Sequence, residues 1–423
     1  MKHKALKIIL ILPIFIFSIL GGHLLISNPK IPLNNLFTKY DISLSSTAVN
    51  LVWSYNFGEN VDKVEVSKDG QFITVASNSK LYLLNLTDKH MWNYSFAAQI
   101  RDIAISDDGK YIISGISDVS VTMFNHTGHM WDHSINNLVY SVDISKDGEF
   151  AVAGTAEHYV TLFYRNGSVK WNYDTGYTVG YVSMSADGQY IASGDFGTNL
   201  TLFNNTDKVM WNHNMTRAAP VAISKNGQFI VSGNQYIKNV SLFNINDGDN
   251  YVWSHNITLA PWYVDISDDG RYIAVGGINY PGPPKAGNIT LFNNETGFIW
   301  FFNVGAVDLL DVAISGDGNY IVAGDSSGIL HLFNRNGRIW NTNLSSNVDS
   351  VAISQNGRYI FAVAGNNLYV YNNPKPSSPQ NPLAMFIALQ GMESGSQIII
   401  LTIVLIICIG AVLVVIYLYY TRK

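Results

Sequence analysis

Eight copies of one sequence pattern constrain the fold of this chain more than any other feature. The clearest copy, VAISGDGNYIVAGDSSGILHLFNRNGRIW, occupies residues 312–340. Each copy contains a Ser-x-(Asp/Asn)-Gly sequence, and successive Asp-Gly or Asn-Gly pairs are separated by 39, 39, 40, 39, 43, 48 and 39 residues. One tryptophan per copy keeps a similar spacing: Trp53, Trp92, Trp131, Trp171, Trp211, Trp253, Trp300 and Trp340. Most of the chain is therefore an array of one structural unit.

Each unit divides into four short strands. An alternating segment such as Val312-Ala-Ile314 comes first, and the Asp-Gly or Asn-Gly pair after it predicts a tight turn, because both residues tolerate a positive φ. Three more strands follow: a Tyr-Ile-Val-Ala-Gly strand, a Leu-x-Leu-Phe-Asn strand and a strand with the tryptophan. A period near 40 residues with four strands per unit predicts an all-β fold, an eight-bladed β-propeller of four-stranded blades. We expect the repeated tryptophans to pack between adjacent blades.

The phase of the repeat predicts how the ring closes. Trp53 precedes the first Ser-x-Asp-Gly sequence, whereas the last unit ends without a tryptophan. The strand around Trp53 should therefore supply the fourth strand of the last blade. Such closure leaves no blade incomplete and no extra sheet edge exposed.

Segments of other kinds flank the repeats, which occupy residues 50–373. Residues 1–27 contain lysines followed by an apolar stretch, which predicts a signal peptide or an uncleaved signal-anchor helix, and residues 28–49 connect it to the first strand. Four prolines in residues 374–397 predict a semi-rigid stalk. Residues 398–420 carry no charge and predict a transmembrane helix that contacts the lipid bilayer. Residues 421–423 form a basic tail.

The charged ends predict one topology. The positive-inside rule places Arg422 and Lys423 in the cytoplasm, so the propeller should lie outside the cell membrane, held by one or two spans. Twelve Asn-x-Ser/Thr sequons suit a glycosylated, archaeal-like prokaryotic surface protein. Asn199 and Asn239 lie in predicted third strands and should be poorly accessible. The remaining candidates are Asn85, Asn93, Asn125, Asn166, Asn204, Asn214, Asn256, Asn288, Asn294 and Asn343.

Charge and residue usage bear on the function class. Without the five basic residues at the two ends, the chain has 21 basic and 31 acidic residues, a net charge of about −10, which argues against a nucleic-acid partner. The only cysteine, Cys408, lies in the predicted transmembrane helix, so a thiolate metal site is excluded. The histidines show no zinc spacing, and there is no G-x-S-x-G nucleophile sequence. We therefore expect no enzymatic activity, no metal site and no cofactor.

The repeat resembles two propeller families. The order Val-x-Ile-Ser-x-Asp-Gly followed by Leu-x-Leu-Phe-Asn resembles the WD-repeat pattern, although Phe-Asn replaces its Trp-Asp pair and its Gly-His pair is absent. Residues 291–300, LFNNETGFIW, are similar to the tryptophan-docking motif of the pyrroloquinoline-quinone-type, or quinoprotein-like, propellers. Eight blades fit this second family better. In an active quinoprotein the resemblance would imply a quinone pocket with a catalytic Asp, calcium ligands and commonly a vicinal cysteine pair, which this chain lacks.

Comparison of the eight copies predicts where a binding site lies. The residue five positions before each turn serine varies most, and WD-type geometry would place it at the rim of the central channel: Asp62, Arg101, Tyr140, Gly180, Ala219, Trp262, Leu310 and Asp349. A ring of unlike residues on a regular scaffold is how repeat proteins build a distinctive surface. The largest insertion, residues 278–287, should emerge on the same face.

We therefore expect a membrane-anchored extracellular module that binds a protein or a glycan without catalysis. The candidate contact residues are Asp62, Arg101, Tyr140, Trp262, Tyr263, Tyr280 and Asp349. The alternatives are a membrane-anchored quinoprotein-like oxidoreductase and a purely structural component of the cell envelope.

Overall fold

A computed structural model describes residues 49–373 except residues 88, 118–119, 136, 207, 216–219 and 280–283. The predicted signal or signal-anchor segment, stalk, transmembrane helix and basic tail lie outside the described residues. Within the part that is described, no helix has the length and apolar character needed to span a membrane.

Eight four-stranded antiparallel sheets account for the repeats, as predicted. The first strand, β1 (Asn50–Asn56), belongs to the last sheet. Blades 1 to 4 consist of β2 (Val61–Val66), β3 (Phe72–Ser77), β4 (Lys80–Asn85) and β5 (Lys89–Ser95); β6 (Ile100–Ile105), β7 (Tyr111–Ile116), β8 (Ser120–Asn125) and β9 (Gly128–Ser134); β10 (Val139–Ile144), β11 (Phe150–Thr155), β12 (Tyr159–Tyr164) and β13 (Val169–Asp174); and β14 (Val179–Met184), β15 (Tyr190–Asp195), β16 (Asn199–Asn204) and β17 (Lys208–Asn214).

The second half of the ring has the same organisation. Blades 5 to 8 consist of β18 (Val221–Ile223), β19 (Phe229–Asn234), β20 (Asn239–Asn244) and β21 (Tyr251–Asn256); β22 (Ala260–Ile266), β23 (Tyr272–Ile278), β24 (Gly287–Asn293) and β25 (Gly297–Gly305); β26 (Leu309–Ile314), β27 (Tyr320–Asp325), β28 (Ile329–Asn334) and β29 (Gly337–Asn343); and β30 (Val348–Ile353), β31 (Tyr359–Ala364), β32 (Asn367–Asn372) and β1. A 3₁₀ turn, Ile245–Asp247, follows β20.

The ring closes as the repeat phase predicted. β1 pairs antiparallel with β32, with Trp53 opposite Val370, and so completes blade 8. The first strand of every blade contacts the first strands of both neighbouring blades, so these eight strands surround a central channel. We call the face on which the first strands begin the front face, and the face that carries the Ser-x-Asp-Gly turns the back face.

The Ser-x-Asp-Gly turns are held by a repeated set of hydrogen bonds. In blade 3 the buried Ser145 Oγ donates to Asp147 Oδ1 at 2.9 Å and accepts from the Phe150 amide at 3.0 Å. Only the glycine of each pair has a positive φ, 68° at Gly148, whereas Asp147 does not. The predicted tight turn is present in every blade, and its glycine alone uses a positive φ. The aspartate serves instead as an acceptor that caps the turn.

The turn glycines also allow the blades to approach closely. A Cβ added to Gly148 would lie 2.5 Å from the ring of Tyr111, which begins β7 in the preceding blade. The turn glycines of the other seven blades meet a Phe or Tyr ring at the corresponding place in the preceding blade. Glycine is thus required for its backbone conformation and for the space it leaves.

The tryptophans join neighbouring blades, as predicted. Trp131 of β9 donates from Nε1 to the Arg165 carbonyl of blade 3 at 2.7 Å, and its ring packs on Phe163 with centroids 5.8 Å apart. Arg165 in turn donates from Nε to the Gly148 carbonyl, which ties the accepting turn to the Ser-x-Asp-Gly turn. The same tryptophan bond, 2.7 to 3.2 Å long, occurs at six interfaces, from Trp53, Trp92, Trp131, Trp171, Trp253 and Trp300.

A β-bulge immediately before each tryptophan directs its side chain toward the next blade. In blade 3, Trp171 lies opposite Leu162 and Val169 opposite Phe163, so Lys170 is the extra residue. The register shifts in the outer strand at the same position in every blade. A bulge also twists an outer strand and makes it a poor template for pairing with another sheet.

Trp211 allows a matched test of the tryptophan bond. Its ring packs on Phe243 at 5.6 Å, but Nε1 is buried and has no hydrogen-bond partner among the described residues. Trp211 faces the segment after β20, where the 3₁₀ turn takes the place of the turn that accepts the tryptophan bond in other blades. We expect Trp131→Phe to lower the free energy of unfolding by about 1–2 kcal/mol more than Trp211→Phe, because only the first removes a hydrogen bond. Denaturant unfolding of both variants measures the difference, and equal losses would contradict it.

Candidate functional site

Polar side chains of the first strands line the channel and bind the backbone of the next blade. Asp102 Oδ2 accepts the Val142 amide at 2.9 Å, and Asp311 Oδ2 accepts the Val351 amide at 2.9 Å. At the position two residues further along the first strand, Asp143 accepts the Met184 amide and Asp265 the Ile314 amide, at 2.7 and 2.9 Å. Each of these aspartates therefore places a carboxylate in the channel and also links two blades by a hydrogen bond.

Sequence reasoning missed these channel residues because it considered only the position five before the serine. A signal was present, since charged residues interrupt otherwise apolar first strands at Lys63, Glu65, Asp143 and Asp265. The structural role of the two aspartates depends on the neighbouring blade, whose backbone amides donate to them.

Lys63 is a channel cation that is paired with a carboxylate of the next blade. Its Nζ lies 3.1 Å from Asp102 Oδ1, and the Asp102 carboxylate, assisted by Asp311, raises the pKa of Lys63 although burial opposes this. Asp311 also accepts Ser350 Oγ at 2.9 Å. The pairing leaves Lys63 charged and fixed.

Carboxylates outnumber cations deeper in the channel. Enclosure by the blades, together with the charges of Asp311 and Asp102, raises the pKa of Glu65 to about 8. Enclosure likewise raises the pKa of Asp265 to about 6, against the effect of two backbone hydrogen bonds. The pKa values of Asp143 and Asp311 are raised for the same reason.

Side chains from distant blades meet at the back end of the channel. Lys68 Nζ lies 3.6 Å from Asp107 and 3.5 Å from Asp268, although Lys68 belongs to blade 1 and Asp268 to blade 6. Gln355 Nε2 of blade 8 donates to Asp268 Oδ2 at 2.5 Å. The four residues of these contacts also line a cavity of about 320 Å³, together with Glu65, Asp143 and Lys225. This end of the channel is therefore crossed by an ion-pair network.

The front end carries the predicted variable ring. Asp62, Arg101, Tyr140 and Asp349 each occupy the second position of a first strand. Burial, and then the charge of Asp62, raises the pKa of Asp349 to about 6, and burial raises the pKa of Asp62. The two carboxylates hold the same position on the neighbouring first strands β30 and β2, where blade 8 meets blade 1.

Arg101 begins a run of aromatic contacts on the front face. Its guanidinium lies 5.9 Å from the Tyr140 ring centroid, and the Tyr140 ring lies 5.8 Å from Phe196. Phe196 also contacts Tyr181 at 6.3 Å and remains 38% exposed. The ring of Tyr177, 48% exposed, lies against Gly197. We call Tyr140, Tyr177, Tyr181 and Phe196 the aromatic shelf.

Sequence comparison did not identify Tyr177, Tyr181 or Phe196. Gly180 was one of the variable residues, and the structure shows its role: a Cβ there would collide with the Phe196 ring. The glycine leaves room for an aromatic residue from the loop after β15. That relation is between a residue of β14 and a residue of the loop after β15, and it has no counterpart in repeat spacing.

The other predicted contact residues have different positions. Trp262 and Tyr263 are partly buried in β22, and burial, then the charge of Asp311, raises the pKa of the Tyr263 hydroxyl. Tyr280 lies outside the described residues. It falls in the segment between β23 and β24.

The sequons differ in accessibility. Asn93, Asn166, Asn214, Asn256 and Asn343 are exposed. Asn288 is 5% exposed and its Nδ2 donates to Thr258, which makes this candidate a poor glycosylation site in the folded protein and corrects the sequence-based expectation. In the turns after the third strands, an Asn Oδ1 accepts the amide and hydroxyl of the sequon Ser or Thr, as Asn125 does from Thr127. These sequons therefore also have a structural explanation.

The most buried acid and histidine form a structural pair. His331 Nε2 lies 3.0 Å from Asp325 Oδ2, and Ser327 Oγ donates to Asp325 Oδ1 at 2.7 Å. Burial opposes ionisation of Asp325, but these bonds hold its pKa below the ordinary value. Both donors bind the same carboxylate, so His331 is not placed to activate Ser327 as a nucleophile. Among the described residues, no cluster of His, Cys, Asp and Glu has the arrangement of a metal site.

Comparisons with known proteins support the fold. No protein-family model matches the chain, and no curated protein matches it. Among solved structures, that of BamB from Moraxella catarrhalis is similar, with a TM-score of 0.61 and 15% sequence identity, over 77% of this chain and 100% of that one. At this identity the likeness shows the fold alone, a β-propeller.

The channel carboxylates predict a pH dependence of stability. A carboxyl whose folded-state pKa exceeds its unfolded-state value holds its proton more tightly in the folded state, so stability falls as pH rises between the two values. For Glu65 this window extends from 4.5 to about 8. We expect the melting temperature to fall between pH of about 5.5 and about 8.5, and Glu65→Gln to reduce the fall by raising the value at the higher pH.

A matched control is Glu157→Gln, which changes an exposed acid between β11 and β12. Differential scanning calorimetry across the pH range compares the three proteins. If Glu65→Gln and Glu157→Gln gave the same profile as the unchanged protein, the enclosed Glu65 carboxylate would not be the source of the dependence.

Proposed function

We propose that this protein is a non-catalytic binding module, anchored at the cell surface, that recognises a protein or glycan through the front face of its propeller. One observation carries the proposal. The front face combines an arginine, an aromatic shelf and a pair of carboxylates on eight otherwise similar blades. Arginine and aromatic side chains are the usual energetic anchors of binding interfaces.

The shelf is suited to binding because its geometry is held by the fold. Tyr140 and Tyr181 stand on first strands, and Phe196 contacts both rings. Exposed aromatic surface that is already ordered loses little conformational entropy when a partner binds. The exposed parts of Phe196 and Tyr177 supply the apolar area.

The quinoprotein-like alternative finds no support in the donors of the channel. A calcium and quinone site needs carboxylate oxygens directed at the ligand. Asp102, Asp143 and Asp265 instead direct an oxygen at a backbone amide of the next blade, and Asp102 also pairs with Lys63. This donor set does not fit such a site.

The front-face proposal predicts which substitutions abolish partner capture. We expect Tyr177→Ser/Phe196→Ser to reduce partner capture at least about tenfold with a nearly unchanged melting temperature, because both rings are exposed anchors. The full-length protein is cross-linked in its native membranes, purified by a tag and analysed by mass spectrometry. The matched control is Phe298→Ser/Phe301→Ser on β25, since these two outer-strand rings are 50% and 61% exposed, at least as much as the shelf rings.

The outcomes separate the alternatives. Loss of the partner only in the shelf variant supports the proposal. Loss only in the β25 variant would show that the partner binds the outer strands of the propeller and not its front face. Cross-links only to other copies of this chain would favour a structural component of the cell envelope.

The proposed location has its own test. The basic residues 421–423 and the apolar residues 398–420 support a cytoplasmic C-terminus and an external propeller. We expect protease added to intact cells to digest the propeller while a C-terminal tag survives, and permeabilised cells to lose both. A propeller protected in intact cells would refute this topology.

A further inference from the structure

Arg101 has no carboxylate partner in the part of the chain that the structure describes. No Asp or Glu oxygen among those residues lies within 4.0 Å of its guanidinium, and its buried Nε has no hydrogen-bond acceptor there. Three lysines near the front face are paired instead, Lys63 with Asp102, Lys80 with Glu59 and Lys285 with Asp308, at 2.7 to 3.1 Å. A partly buried arginine without an acceptor is costly, and a ligand carboxylate that accepts from its terminal nitrogens would offset that cost.

The surroundings of Arg101 differ on its two sides. Toward blade 3 lies the Tyr140 ring and then the rest of the aromatic shelf. Toward blades 1 and 8 lie Asp62 and Asp349, close enough for the charge of the first to affect the second. Along the channel rim the surface is therefore acidic, then basic, then aromatic.

We propose that the front face binds a polypeptide segment whose side chains are complementary to this order: a basic or neutral residue, then Asp or Glu, then an aromatic or aliphatic residue. The carboxylate binds the Arg101 guanidinium, and the apolar side chain packs on Phe196 and Tyr177. Asp62 and Asp349 repel a second acid on their side, so the segment binds in one direction. The inference rests on the proposed front-face function and specifies its partner.

A polypeptide fits these observations better than a glycan. The surface is acidic, then basic, then aromatic on neighbouring blades, and a peptide with different side chains can match each part in turn. An acidic glycan repeats its carboxylates, some of which would meet Asp62 and Asp349. Like charges placed together at an interface are unfavourable.

Selection of peptides tests the proposal while the natural partner is unidentified. A phage-displayed library of random peptides, each about nine residues long as suits a short linear motif, is selected on the full-length protein in detergent. Selected peptides are then measured by fluorescence anisotropy against the unchanged protein, Arg101→Gln, Arg101→Lys and Phe196→Ser. Arg338→Gln is the matched control, because Arg338 is on the outer strand of blade 7, 4.7 Å from the Phe302 ring of blade 6 and away from the front-face rim.

We expect the selected peptides to contain an acid next to an aromatic or aliphatic residue. Their affinity should fall at least about tenfold in Arg101→Gln, less in Arg101→Lys, which keeps the charge but loses the planar fork, and not in Arg338→Gln. Exchanging the acid for its amide should remove the difference between the unchanged protein and Arg101→Gln.

The contrary outcomes are distinct. Peptides that lose affinity in Phe196→Ser but not in Arg101→Gln would overturn this inference and leave the front-face function standing. Selected peptides that ignore both substitutions would overturn both. Arg101-dependent binding of a hyaluronan hexasaccharide probe, with no Arg101-dependent peptide, would replace the polypeptide with an acidic glycan.

Discussion

Closure of the ring through hydrogen bonds between neighbouring blades is the constraint on which the rest of this structure depends. Around the back face, a backbone amide just after the turn serine of each blade donates to a carbonyl of the next, and the bond from Gln355 to Lys68 returns the series to blade 1. Side chains of the channel add bonds such as that from the Val142 amide to Asp102. Because each blade depends on its neighbours, a fourth strand in blade 8 matters to the whole ring, and β1 supplies it.

The division of the molecule into two faces follows from this constraint. The back face contains the serine turns, the turn glycines and the carbonyls that accept the tryptophan bonds, so its residues are constrained by packing in nearly every blade. The front-face loops take part in fewer of these repeated contacts. There Gly180 can make room for Phe196, and Arg101 can lie beside Tyr140 without disturbing the ring. A varied surface is thus compatible with a regular scaffold.

The channel combines structure with electrostatics. Its carboxylates join blades by accepting backbone amides, yet their enclosure together raises several of their pKa values. Replacement of such an aspartate therefore removes a hydrogen bond between blades as well as a charge. No hydrogen bond to another blade is described for Glu65, so its replacement tests the effect of the charge separately. The His331–Asp325 pair shows the opposite balance, because its hydrogen bonds outweigh the cost of burial for the carboxylate.

The sequence by itself determined the number of blades, the four strands of each and the pairing of β1 with the last blade. These features follow from local periodicity, and the eight tryptophans and turn glycines report it directly. The variable ring around Arg101 and Tyr140 was also accessible, since it occupies one position of the repeat. Only the tertiary structure decided that Phe196 and Tyr177 join this ring, that Asp102 and Asp265 bind the next blade, and that Asn288 is buried. Those properties depend on contacts between different blades or between loops, which no spacing along the chain encodes.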